Sequence, residues 1–137
     1  FFTDVCPSLG QTPVMVIAEH RGQPVAAALF FEGENTLYGR YWGCLAEFDY
    51  LHFEACYYLG IEYCIRQGLS RFDPGAQGEH KIQRGFEPVL TYSNHWIVDE
   101  RLREAVAQFT EQESEQVRAY QCDAATLLPF KQELDQP

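Results

Sequence analysis

At 137 residues, 46% hydrophobic and 22% charged, the chain has the composition of one globular domain with a sizeable core. Twenty acidic residues against ten basic give a net charge of −10, which disfavours broad non-specific adhesion to nucleic acid or anionic lipid and leaves room for a local basic site. No apolar run approaches the roughly 18 residues of a membrane span, and no signal-peptide pattern is present, so a soluble, cytoplasmic protein is expected.

The chain opens on Phe1-Phe2-Thr3-Asp4 with no initiator Met and reads as the C-terminal part of a longer protein whose N-terminal half is missing. Val14 to His20, the turn Arg21-Gly22-Gln23 and Val25 to Phe31 predict a hairpin. Glu32-Gly33-Glu34-Asn35 is a second break, and Thr36 to Trp42 a third strand, so the first half is expected to be an antiparallel meander. Tyr38, Tyr41 and Trp42 are expected in the core. From Leu51 to Gln67 the apolar residues Phe53, Cys56, Tyr57, Tyr58, Ile61, Cys64 and Ile65 recur at helical spacing, predicting a helix with a broad buried face. Gly68 is its left-handed cap, and Leu69 to Asp73 a short strand ended by Pro74-Gly75. The intervening helix lets that strand run parallel to the one before it. Ala76 to Gly85 reads as a polar loop with one helical turn, and Leu90 to Val98 alternates as a further strand. Asp99 is the expected N-cap of a helix to about Tyr120, with Leu102, Ala105, Val106 and Phe109 on one face. The fold class is therefore α/β with a mixed α+β sheet, as one domain over residues 1–121 and a tail over 122–137.

Five scattered cysteines without a C-x-x-C read as reduced core thiols. Positive charge is sparse: residues 99–137 carry nine acids and four bases, whereas 71–95 carry three of each plus His80 and His95. Two segments concentrate chemistry. Between the third strand and the helix stand Glu47, Asp49, His52 and Glu54, proton-transfer groups at the mouth of a helix. For Asp49 and Glu54, capping the helix and offsetting its dipole is the favoured role. After the short strand, Asp73, Gln77, Gly78, His80, Lys81 and Arg84 interleave acids, cations and glycines in a loop leaving a strand end, where α/β proteins tend to place sites. His20 is expected to be an exposed residue beside a turn, and His95 a hydrogen-bonded strand residue. His52-Phe53-Glu54 matches the H-x-E of zinc deaminases, but no P-C-x-x-C accompanies it, so no metal is expected.

The run LHFEACYYLGIEYCI over residues 51–65, with RFDPGAQGEHKIQRGFEP over 71–88 and SNHWI over 93–97, resembles the FemAB-like N-acyltransferases of peptidoglycan biosynthesis/recognition. The resemblance covers roughly residues 1 to 110, far longer than a short motif. It implies the C-terminal part of a protein with two acetyltransferase-like (GNAT-like) halves, in which an acceptor amine attacks an activated acyl or aminoacyl donor between a meander strand and a splayed parallel strand. On that basis Glu47, His52, Asp73 and His80 are the catalytic candidates, while Gln77, Gly78, Lys81 and Arg84 would hold the donor. Coenzyme A-dependent GNAT enzymes carry Q/R-x-x-G-x-G/A ahead of the helix. Here the stretch is Gly43-Cys44-Leu45-Ala46-Glu47-Phe48-Asp49, so an acyl-coenzyme A donor lacks its phosphate loop and aminoacyl-tRNA is the alternative, although the net charge does not support a large tRNA footprint. The rival implied by the missing loop is a non-catalytic GNAT module binding a cell-wall precursor or a protein partner. Exposed strand edges also leave room for a homodimer.

Overall fold

The computed structural model describes residues 2–76 and 78–130. Strands β1 (Pro13–His20) and β2 (Gln23–Glu32) form the expected hairpin, and β3 (Thr36–Cys44) extends it antiparallel. Arg21 and Gly22 close the first turn at φ 53° and 75°. With both central residues left-handed, the turn has the twist that right-twisted strands require. A short β4 (Arg71–Asp73) pairs parallel with the start of β3, completing a mixed sheet in the order β1-β2-β3-β4.

Two irregularities decide which side chains face inward. Opposite Leu29 and Phe30, β3 inserts Arg40, so that Leu29 faces Tyr41 while Phe30 faces Gly39. One extra residue reverses the alternation. Leu37 and Trp42, an odd number of positions apart, thus share the core side, and Tyr38 and Tyr41 are exposed rather than in the core as expected. In β2 the extra residue is Val25: Ala18 faces Ala26, Glu19 faces Pro24, and the register shifts between them.

The helix α1 spans residues 51–67 in three parts: an α turn Leu51–Phe53, a π segment Glu54–Tyr58, and an α-helix Leu59–Gln67. In the π segment the Leu59 N–H reaches back to the Glu54 carbonyl, five residues away. That extra residue narrows the buried stripe to Ala55, Tyr57, Gly60 and Cys64, and Tyr58 and Ile65, expected to be buried, are exposed. Ala55 and Cys64 join Ala28, Phe30 and Leu37 in one core cluster. Gly60 lets α1 lie against Phe72 of β4, for a Cβ there would sit 2.6 Å from the ring. Gly68 ends the helix left-handed, its N–H bonded to the Cys64 and Ile65 carbonyls.

The chain divides into two compact units, Phe1–Ala76, which holds the sheet and α1, and Gln77–Pro137. In the second, a 3-10 turn Glu79–Arg84 with buried Ile82 packs against the C-terminal end of helix α2 (Glu100–Ala125), where Ala124 is buried. The Tyr120 hydroxyl donates to Glu79 at 2.9 Å and the Gln121 amide to the Pro88 carbonyl at 2.9 Å. Asp99 caps α2 as expected, accepting the Leu102 N–H at 2.8 Å. Leu102 and Phe109, expected on a packed face, are exposed. The strand expected over Leu90 to Val98 does not form: the segment is irregular, and Tyr92, Trp96 and Val98 are exposed. Alternation makes a strand only where a neighbour takes up the backbone N–H and C=O groups, and no described strand does so here. His95 instead bonds locally to the Ser93 hydroxyl at 2.8 Å, and Arg103 donates to the Ile97 carbonyl at 3.1 Å.

Candidate functional site

The first unit carries an open surface depression of about 400 Å³ where the hairpin end meets the entry of α1. Ala18, Glu19, His20 and Val25 form one wall; Phe48, Asp49, Tyr50, Leu51, Glu54 and Tyr58 form the other. Each wall has a local cause. The extra residue at Val25, beside Pro24 with no N–H to donate, brings Ala18 to His20 and Val25 to the same depression. Across from it, Tyr50 adopts φ 65°, costly for a bulky residue at about 1–3 kcal/mol. The Tyr50 carbonyl holds the turn by accepting the N–H groups of Phe53 and Glu54 at 3.0 and 3.1 Å. The π segment then presents Glu54 and Tyr58 together. Such segments recur at functional sites because they re-aim side chains within a continuous helix.

Asp49 does not cap the helix: the N-cap is Tyr50, with no side-chain hydrogen bond, and Glu54 caps nothing either. Both carboxylates line the opening, so the capping part of their expected role is not made, while Glu54 stands in the first turn of the π segment, where an acid offsets the helix dipole. His20, expected to be an incidental surface residue, lies 5.3 Å from the Phe48 ring and lines the same depression. Pro24 was the one local signal for this wall, since a proline inside a strand pattern marks a bulge.

Of the catalytic candidates, Glu47 is exposed in the connection between β3 and α1. His52 is half-buried with its ring edge-on to Trp42, Phe53 and Tyr57, at 5.4, 5.5 and 5.4 Å. Asp73, the last residue of β4, accepts the Gly75 N–H at 2.8 Å, a turn that together with Pro74 ends the strand. Cys64 is no nucleophile: burial, then the nearby Glu32 charge, pushes its thiol up, and it points at the Arg71 carbonyl 3.8 Å away. All five cysteines are free, but Cys44 and Cys122 are exposed rather than in the core.

In the second unit Gly78, His80, Lys81 and Arg84 gather on one 3-10 turn. Gly78 has φ 106°, and a Cβ there would lie 2.5 Å from the His80 ring, so only glycine lets the imidazole fold back over the loop. The Arg84 guanidinium donates to the His80 carbonyl at 2.7 Å, tying both ends of the turn. Gln77, the remaining donor-binding candidate, lies outside the described residues.

A family profile for FemAB-like proteins, described as peptidoglycan biosynthesis/recognition, matches residues 1–132. The chain belongs to the FemAB-like family. Neither a search of curated proteins nor one of solved structures finds a match. Among the described residues of this FemAB-like chain, no helix is long and apolar enough to cross a membrane, and no three His, Cys, Asp or Glu side chains converge to hold a metal ion.

Proposed function

We propose that this FemAB-like chain takes part in the transfer of an acyl or aminoacyl group from an activated donor to an amine acceptor among peptidoglycan precursors, on a GNAT-like fold. The observation that carries the reading is the point, called the fork below, where β4 ends and β3 runs on without it. The parallel pairing of β3 with β4 lasts from Thr36↔Arg71 to Tyr38↔Asp73, after which β3 continues to Cys44 without β4 beside it. At the fork Gly39 lets the chains approach closely, with Pro74 Cα 3.4 Å from where a Cβ would stand. A meander, a crossover helix and a parallel strand that leaves the far part of its neighbour uncovered are the elements with which GNAT-like folds admit an acyl donor.

In this reading the acceptor nitrogen, once deprotonated, attacks the donor carbonyl carbon. A C–N bond forms, the C–O or C–S bond to the carrier breaks, and the proton taken from the nitrogen leaves with the carrier. Backbone N–H groups of β3 past the fork stabilise the oxyanion, and Glu47, His52, Asp73 and His80 remain the proposed proton carriers. Lys81 and Arg84, with Gln77 and Gly78, would hold the donor phosphate. Glu47 and Asp49, in the connection where coenzyme A enzymes keep their phosphate loop, favour an aminoacyl ester over coenzyme A. The net charge of −10 requires the body of a tRNA to be held elsewhere. Free thiols and donors of either kind agree with a cytoplasmic reaction.

Calorimetric titration with acetyl-coenzyme A, a long-chain acyl-coenzyme A and a charged tRNA, repeated on Lys81→Ala, tests the reading. Binding of one donor that weakens in the variant supports transfer. Failure of all three to bind would leave a precursor-binding module without chemistry, the second reading, which the absent phosphate loop favours.

A further inference from the structure

We propose that the middle of helix α2 is a docking surface for an amphipathic helix of a partner polypeptide, one that carries a lysine or arginine at the centre of its apolar face. The proposal is independent of the transferase reading.

One apolar stripe runs along α2. Leu102, Val106, Phe109, Val117, Tyr120 and Ala124 follow helical spacing, and Glu113 stands between Phe109 and Val117 at the position that completes it. The C-terminal end of the stripe is already an interface: Ala124 is buried where the helix meets the 3-10 turn, and the Tyr120 hydroxyl reaches Glu79. There the cover stops. Residues 107–119 are exposed throughout, Phe109 at 61% and Val117 at 44%, and Leu102 beyond them is 55% exposed. Helices in proteins draw most of their stability from packing such a stripe. A second helix laid from Leu102 to Val117, a length of about 22 Å, would continue the packing that the 3-10 turn begins.

Charge selects the occupant. Residues 104–115 hold Glu104, Glu111, Glu113 and Glu115 and no base. Any helix that covers the stripe takes Glu113 out of water, which is costly unless a cation arrives with it. A second copy of α2 brings none. Glu113 lies midway between Leu102 and Ala124, so two stripes paired over their full length, parallel or antiparallel, set Glu113 against its own copy. Glu104, Glu111 and Glu115 share the opposite face, which turns the helix away from anionic lipid as well. A partner helix with Lys or Arg inside its apolar face meets both requirements, covering Phe109 and Val117 while pairing Glu113.

Amide NMR titration of the chain with synthetic 21-residue helical peptides, identical except for Lys, Gln or Glu at the centre of a leucine stripe, tests the proposal. Saturable shifts at Phe109 to Val117 are expected with the Lys peptide, and binding about tenfold weaker with the Gln peptide, the worth of a charge-assisted hydrogen bond removed from water. Glu113→Gln should erase that preference, and Glu113→Lys should transfer it to the Glu peptide. Phe109→Ala should weaken the Lys peptide by a similar factor, with unchanged helical circular dichroism showing the variant folded. Equal binding of the Lys and Gln peptides, an absence of saturable shifts, or a preference that survives Glu113→Gln overturns the proposal. A concentration-dependent dimer in sedimentation that Phe109→Ala disperses also overturns it, since a second copy then covers the stripe. So does slow amide exchange across residues 107–119 in the chain alone, which would show the stripe already covered.

Discussion

Substituting Gly60→Ala tests the packing that links α1 to the fork. A Cβ at Gly60 would meet Cε1 and Cζ of Phe72 at 2.6 Å and Cε1 of Phe30 at 3.5 Å. Comfortable carbon contacts are about 3.5–4.0 Å, so the Phe72 ring must retreat by about 1 Å. It cannot do so freely, because Phe30 backs it at a centroid distance of 5.9 Å. Overpacking of this kind costs about 1–3 kcal/mol, while replacing glycine by alanine within a helix returns about 1 kcal/mol. The expected net effect is a loss of about 1 kcal/mol, read as a fall in Tm of about 4 °C by circular dichroism. Adding Phe72→Leu, which vacates the contact, should recover part of the loss, so the double-mutant cycle should show a coupling of about 1 kcal/mol. Phe72 pairs with Leu37 beside the fork, so Gly60→Ala should also weaken donor binding. A Gly60→Ala protein stabilised by the full helical gain of about 1 kcal/mol would refute the reasoning.

Two further perturbations follow from named hydrogen bonds. Tyr63 donates to Glu32, and that bond, followed by burial, raises the phenol above its ordinary 10.0. As pH rises the unfolded chain loses this proton first, so the contact's contribution is complete below about pH 10 and is lost as pH climbs through the raised native value. Urea unfolding midpoints should therefore fall less steeply above about pH 10 in Tyr63→Phe than in the parent. Asp99→Ala removes the α2 cap and should cost about 0.5–2 kcal/mol, with amide exchange faster at Arg101 to Arg103 than at Asp123 to Ala125; equal acceleration at both ends would count against a capping role.

Much of the fold was legible because its determinants are local. Arg21-Gly22 permits a left-handed pair, Gly68 a left-handed helix end, and Asp99 presents an acceptor one turn before an apolar repeat. The FemAB-like run was legible for a different reason, its length. The candidate site was legible only in part: Asp49 and Glu54 read as capping residues, His20 as an exposed residue beside a turn, and Glu19 as a strand residue without a role, since what unites them is the meeting of a hairpin end with a helix entry some thirty residues later.

Taken alone, the sequence determined most elements, their order and the parallel return of β4, which follow from propensity, periodicity and turn chemistry within short windows, whereas the family rests on the length of the resembling run. Only tertiary structure decided that Leu90 to Val98 has no sheet to join, that Arg40 turns Trp42 inward and Tyr41 out, and that Asp49 and Glu54 line one opening with the end of the hairpin. Those outcomes depend on which backbone groups find partners across space and on which face of an element meets the core, and neither is encoded in any one stretch of chain.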